Sequence, residues 1–155
     1  LNLEEFLPKA MEEFDLKPFL FMELILKEKD FRASLLAHDW QQYEGKSVYV
    51  TCTTDAIIPA WAYMLVMSYL QPVTENAIVS SEQEAPKNFM IAQINQIDIE
   101  KYRGERIVIK GCGEIPIPTE AYAAITYKLR PIARSIMYGE PCSTVPVFKK
   151  PVVAK

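Results

Sequence analysis

The amino-acid sequence predicts an α/β protein, a mostly parallel sheet with flanking helices, built from two similar βαβ-containing halves. Three observations predict it. A β-branched run, a helical stretch and a second short apolar run follow one another twice. The two occurrences share residues at a constant offset of 59. Prolines bound both helical stretches. Parallel strands need such crossovers, which are right-handed almost without exception. A chain of 155 residues suits one domain with a sizeable core. Residues 1–155 therefore read as a single domain, with internal repeats at approximately 28–80 and 86–138.

The repeat is carried by identities. Asp39, Tyr43 and Gly45 read D-x-x-x-Y-x-G, and Asp98, Tyr102 and Gly104 read the same. The offset holds for Ile58 and Ile117, Pro59 and Pro118, Ala62 and Ala121, Tyr63 and Tyr122, Leu70 and Leu129, and Pro72 and Pro131. These are nine identities in 34 aligned positions, against roughly two for unrelated stretches of ordinary composition. Cys52 and Cys112 lie 60 apart, so they correspond only if one residue is inserted and then removed.

The elements follow in order. Residues 14–26 are too uniformly apolar for periodicity to separate a buried strand from a buried helix. Pro18 in a first turn favours a helix, with a short strand at 13–16. Residues 28–37 form a helix with Phe31, Leu35 and Leu36 apolar, and Glu28 pairs with Arg32 at i,i+4. Asp39 and Tyr43, like Asp98 and Tyr102, shape the turn that ends at a glycine. Strands follow at 47–51 (SVYVT) and 106–110 (RIVIK). The helices 60–70 and 119–130 carry proline in the first turn and stop at Pro72 and Pro131. Trp61, Tyr63, Met64, Met67 and Tyr69 lie at helical spacings and read as core. Short strands at 77–80 and 135–138 close the units, and the helix at 86–96 presents Phe89, Met90 and Ile94. The basic, Pro-containing tail from Lys149 onward lies on the surface.

Half the chain is apolar and 24% is charged, which excludes disordered and fibrous classes. Its 17 basic and 20 acidic residues, a net charge of −3, argue against duplex nucleic acid as a partner. No apolar run reaches the length of a membrane span. No signal peptide is visible, although the first residue is not Met. Three cysteines, Cys52, Cys112 and Cys142, do not make a secreted disulfide framework. A reducing cytoplasmic location follows.

Ligands of open parallel sheets bind beyond the carboxyl ends of the strands. Cys52 and Cys112 fall at that edge, and Cys142 follows the last predicted strand. Three readings compete there. The cysteines are small buried hydrophobes. Alternatively, three thiolates hold zinc or an iron–sulfur cluster, with His38, Asp55, Glu140, a partner chain or solvent as the fourth ligand. Last, one cysteine is a nucleophile, which needs a base; His38 is the only histidine, and it ends the helix before the first repeat strand. Enzyme activity ranks lowest for that reason. Thr53, Thr54 and Asp55 lie between strand and helix, where backbone N–H groups hold anions, and Asp55 doubles as a helix-cap candidate. G-x-G-x-x-G, Walker, G-x-S-x-G and H-E-x-x-H motifs are absent from the sequence.

Residues 26–32 (LKEKDFR), His38-Asp39-Trp40, 55–65 (DAIIPAWAYML) and 138–146 (YGEPCSTVP) resemble a bacterial family described as domain of unknown function 2480. The resemblance spans approximately residues 14–150. It implies a cysteine before the Asp-Ala-Ile segment, one in Lys-Gly-Cys and one in Gly-Glu-Pro-Cys, here Cys52, Cys112 and Cys142. It brings no established activity. It implies a link to iron–sulfur cluster assembly, whose genes neighbour those of the family, and so names assembly proteins as partners. The resulting expectation is a metal- or iron–sulfur-linked accessory or carrier protein using three thiolates. The alternative is a small-molecule or protein-binding module with purely structural cysteines. A homodimer would complete a ligand set or cover an apolar face.

Overall fold

The computed structural model describes residues 1–111, 113–140 and 143–153. The fold is mixed α/β, with four α-helices and two three-stranded sheets. The chain divides into two compact units: Pro8–Asn88, and Leu1–Leu7 with the chain from Phe89 onward. Each unit has its own apolar core.

In the first unit, β1 (Met11–Asp15), β2 (Ser47–Thr51) and β3 (Asn76–Val79) form an all-parallel sheet in that order. Met11 pairs with Ser47 and Asp15 with Thr51; Ser47 pairs with Asn76 and Val50 with Val79. β2 is central, and Ser47, Val48, Tyr49 and Val50 are all buried. That is why it reads as a continuous apolar run rather than an alternating one. The helix α1 (Glu28–Ala37) buries Phe31 and Leu35, and α2 (Ala60–Leu70) buries Ala62, Val66 and Leu70. These i,i+4 stripes are the faces turned to the core. Glu28 and Arg32 pair at 3.1 Å.

The helix α3 (Ala85–Gln96) buries Phe89, Met90 and Ile94, and the boundary between the units falls within it. In the second unit, β4 (Arg106–Ile109) and β5 (Ser135–Glu140) pair in parallel across α4 (Thr119–Leu129), which buries Ala121, Ile125 and Leu129. The strand β6 (Ser143–Lys149) pairs with β5 in the antiparallel sense, with an irregularity between Ile136 and Met137. Asn2 makes a parallel bridge to Lys110, and Leu3 is fully buried in this core.

Five expectations are corrected. Residues 14–26 form no helix: after β1 comes a 3-10 turn at Lys17–Phe19. Phe21 and Ile25 then exchange backbone hydrogen bonds, and Met22 and Glu23 take left-handed conformations (φ 51° and 60°). A uniformly apolar run has no phase to hold a helix, and here the chain reverses instead. The strands do not end at Tyr138, because β6 follows. Pro146 argues against a strand, yet an edge strand tolerates it, and β6 is the sheet's outer strand. Pro59 and Pro118 precede their helices as N-caps rather than occupying the first turn. Met64 is 70% exposed and not core, whereas Trp61, Tyr63, Met67 and Tyr69 pack half-buried on the first core. The parallel pairing itself is distributed over two sheets rather than one.

Both turns before the repeat strands are built alike. The Asp39 carboxylate accepts from the Gln41 N–H at 3.1 Å, and Asp98 accepts from Glu100 at 3.0 Å. Gly45 and Gly104 then sit at φ +68° and +74°, and a Cβ on either would meet no atom within 4 Å. Replacing either glycine by Ala therefore costs backbone strain alone, about 1–2 kcal/mol. Urea unfolding should show that loss for each single variant, and Gly→Asn at the same positions should lose less.

Candidate functional site

The site is built at the carboxyl edge of the first sheet. β1 ends at Asp15, and β2 runs into the loop 52–59. The Asp15 carboxylate accepts the Lys17 N–H at 3.0 Å and the Thr53 N–H at 3.0 Å, and the Thr53 hydroxyl also donates to it. Burial pushes the Asp15 carboxyl up, but the Thr53 and Lys17 hydrogen bonds outweigh it and hold the group below its ordinary value. The anion expected at the Thr53–Asp55 N–H groups is thus partly supplied from within the chain: Asp15 occupies the Thr53 N–H itself.

Cys52 carries a free, half-exposed thiol. Its S–H donates to the Thr54 carbonyl at 3.5 Å, and the residue packs against the first core. Burial first, and neighbouring Cys52 second, raise the Tyr63 hydroxyl above its ordinary value. Asp55 is exposed and caps nothing, since Pro59 is the N-cap of α2. Ile57, on the same loop, is 96% exposed. At the end of β3, buried Ser80 donates to the Ser81 carbonyl at 2.9 Å and accepts from Asn88 Nδ2 at 3.0 Å.

In the second unit the counterpart of Cys52 at the offset of 59 is Gly111. A Cβ there would lie 2.5 Å from the Tyr122 hydroxyl and 2.6 Å from Ile117 Cγ1. Cys112 and Cys142, and with them the convergence of three thiols, lie outside the described residues. Glu140 is the last residue of β5, half-exposed and in register with Ser143. Among the described residues no group of three His, Cys, Asp or Glu is placed to hold a metal.

His38 lies among aromatic rings. Its Nε2 lies 2.8 Å from the Tyr43 hydroxyl, and its ring packs among Phe14, Phe19, Trp40 and Tyr43. Sequence reasoning missed both this aromatic cluster and Asp15. A signal for Asp15 exists: residues 15–20 (DLKPFL) match residues 2–7 (NLEEFL), and the Asn2 side chain accepts from the Glu4 N–H at 3.1 Å as Asp15 does from Lys17.

A family model described as "Protein of unknown function (DUF2480)" matches residues 1–150. The chain belongs to this family. No curated protein and no solved structure matches it. For this DUF2480 member, no helix among the described residues is long and apolar enough to cross a membrane.

Two outcomes follow from this geometry. Asp15→Asn should lose about 1 kcal/mol at neutral pH, a hydrogen-bond loss moderated by partial exposure. Because the folded Asp15 group lies below its unfolded value of 3.8, its stabilisation is present above that pH and fades as pH falls through the folded value. Denaturant titrations at several pH values should show the parent's acid loss flattened in Asp15→Asn. Gly111→Ser should destabilise by about 1–3 kcal/mol through overpacking, and Gly111→Ser with Tyr122→Phe should recover part of it.

Proposed function

We propose that the protein is an accessory or carrier protein linked to a metal or an iron–sulfur cluster, rather than an enzyme. One observation carries this reading: the 52–59 loop displays a free, half-exposed thiol together with an almost fully exposed isoleucine. A thiol accessible beside an apolar contact residue suits a handover between proteins better than chemistry in a closed pocket. Thiolates are soft donors suited to zinc and to iron–sulfur clusters. Cys52 alone does not hold such a group, so the reading requires Cys112 and Cys142, with Asp55 or Glu140 as a further oxygen donor. Iron–sulfur assembly proteins are the partners it calls for. A cytoplasmic location would keep the thiols reduced, and a two-fold pair of chains would complete the ligand set.

A second reading rests on a separate observation. The Cys52 S–H donates to a carbonyl and the side chain packs on the core, as a structural cysteine does. The protein would then be a binding module for a small molecule or a protein.

We further infer that the two βαβ-containing halves are copies of one unit. Gly45 N–H donates to Val73 O at 3.0 Å, and Gly104 N–H to Ile132 O at 2.8 Å. Leu16 N–H donates to Thr51 O at 2.9 Å, and Leu3 N–H to Lys110 O at 2.8 Å. Each pair of acceptors is separated by 59 residues, as are the sequence identities. Residues 2–7 are the second copy's counterpart of 15–20.

Metal analysis and an absorbance spectrum of anaerobically purified protein test the first reading. Stoichiometric zinc or iron, lost on Cys52→Ser and retained in Asp55→Asn at reduced affinity, is the expected result. No metal after reconstitution with zinc, or with iron and sulfide, would overturn it in favour of the binding module.

A further inference from the structure

We propose that His38 is a pH-sensitive latch on the turn that leads into β2. Four rings from three elements converge on it: Phe14 of β1 at 5.5 Å between centroids, Phe19 of the Lys17–Phe19 turn at 5.3 Å, and Trp40 and Tyr43 of the 3-10 turn Trp40–Tyr43 at 4.9 and 5.7 Å. Trp40 continues the cluster, stacking on Tyr69 of α2 at 4.8 Å and donating from Nε1 to the Leu35 carbonyl at 2.8 Å. The sole histidine of the chain therefore sits where a strand, two turns and a helix end meet.

Two contacts of its Nε2 set out what a proton there would do. Gln42 Nε2 lies 2.6 Å from the Asp39 backbone carbonyl, so that atom is the amide nitrogen and a donor. The same nitrogen lies 3.3 Å from His38 Nε2. With that amide donor beside it, we take the tautomer in which Nε2 is the acceptor and the ring proton is on Nδ1. In that tautomer the Tyr43 hydroxyl, 2.8 Å away, is the main donor to the single Nε2 lone pair, and the Gln42 amide at 3.3 Å is a weaker second donor. Adding a proton to Nε2 sets donor against donor. The Tyr43 hydroxyl can rotate to accept, but Gln42 can retreat only by giving up Asp39. Acid therefore loosens the Trp40–Tyr43 turn while the rest of the cluster still packs.

The surrounding charges agree with this direction. Burial lowers the His38 value below 6.5, and nearby Asp39 offsets part of that. The Tyr43 hydroxyl is pushed up to about 12, by burial first and then by Glu12 and Asp39, so it stays protonated. On β1, Glu12 is paired with Lys46 at 3.1 Å and Asp15 is held by Thr53. On the Lys17–Phe19 turn, Lys17 is paired with Glu23 at 3.6 Å. The α2 neighbour is the uncharged Tyr69. Asp39 is thus the carboxylate that opposes burial and favours the imidazolium.

Proton NMR of the His38 ring in the full chain, alongside fluorine NMR of protein carrying 5-fluorotryptophan, tests the latch; Trp61→Phe assigns the two tryptophan resonances. His38 should titrate below 6.5, and the Trp40 resonance should move with the same midpoint. Gln42 is exposed, so Gln42→Glu should fold, and by giving Nε2 a carboxylate acceptor it should raise both midpoints by about one unit. A His38 that titrates at or above 6.5, a Trp40 resonance unmoved through the titration, or midpoints unchanged in Gln42→Glu would each overturn the proposal.

Discussion

Parallel pairing along β2 is the constraint on which the first unit rests. Two neighbours that run in the same direction as β2 cannot be reached by tight turns, so each connection crosses a face of the sheet and must bury an apolar helix stripe there. The stripes are Phe31 and Leu35 in α1, and Ala62, Val66 and Leu70 in α2. Both stripes pack with Val48 and Val50 of β2 in one core, and Ser47 and Tyr49 of the same strand are buried as well. The second unit obeys the same rule between β4 and β5, and then departs from it by adding β6 as an antiparallel edge.

The same constraint makes the carboxyl edge the place where loops can diverge. Strand registers and helix faces are held by packing, whereas the residues just past each strand answer only to local hydrogen bonds. In the first unit those bonds radiate from the Asp15 carboxylate, which ties the β2 loop back to β1 and leaves Cys52, Asp55 and Ile57 displayed at intermediate or full exposure. In the second unit Gly111 stands past β4, and the Tyr122 hydroxyl and Ile117 close over it. The two carboxyl edges thus present different chemistry.

Much of this was legible from residues alone, and the reason is periodicity. The helices Glu28–Ala37 and Ala60–Leu70 and the strand Ser47–Thr51 coincide with the sequence expectation. Apolar stripes, β-branched runs and the Asp-Tyr-Gly turns are local signals. The stretch 14–26 failed because it is apolar throughout and has no phase to read. Its reversal at Met22 and Glu23 uses left-handed backbone without a glycine to announce it. The strand β6 was not expected; it contains Pro146, which only an edge strand admits, and edges are a property of the sheet rather than of the segment.

The sequence by itself determined the crossover units, their offset of 59 residues and the positions of the thiols along the chain, because these depend on patterns within a few turns of helix or strand. Only the tertiary structure decided that the parallel pairing is divided between two sheets, that Asp15 rather than an external anion binds the Thr53 N–H, and that the one histidine is enclosed by aromatic rings. Each of those facts joins residues far apart in the chain, and their energies appear only when packing brings the partners within reach.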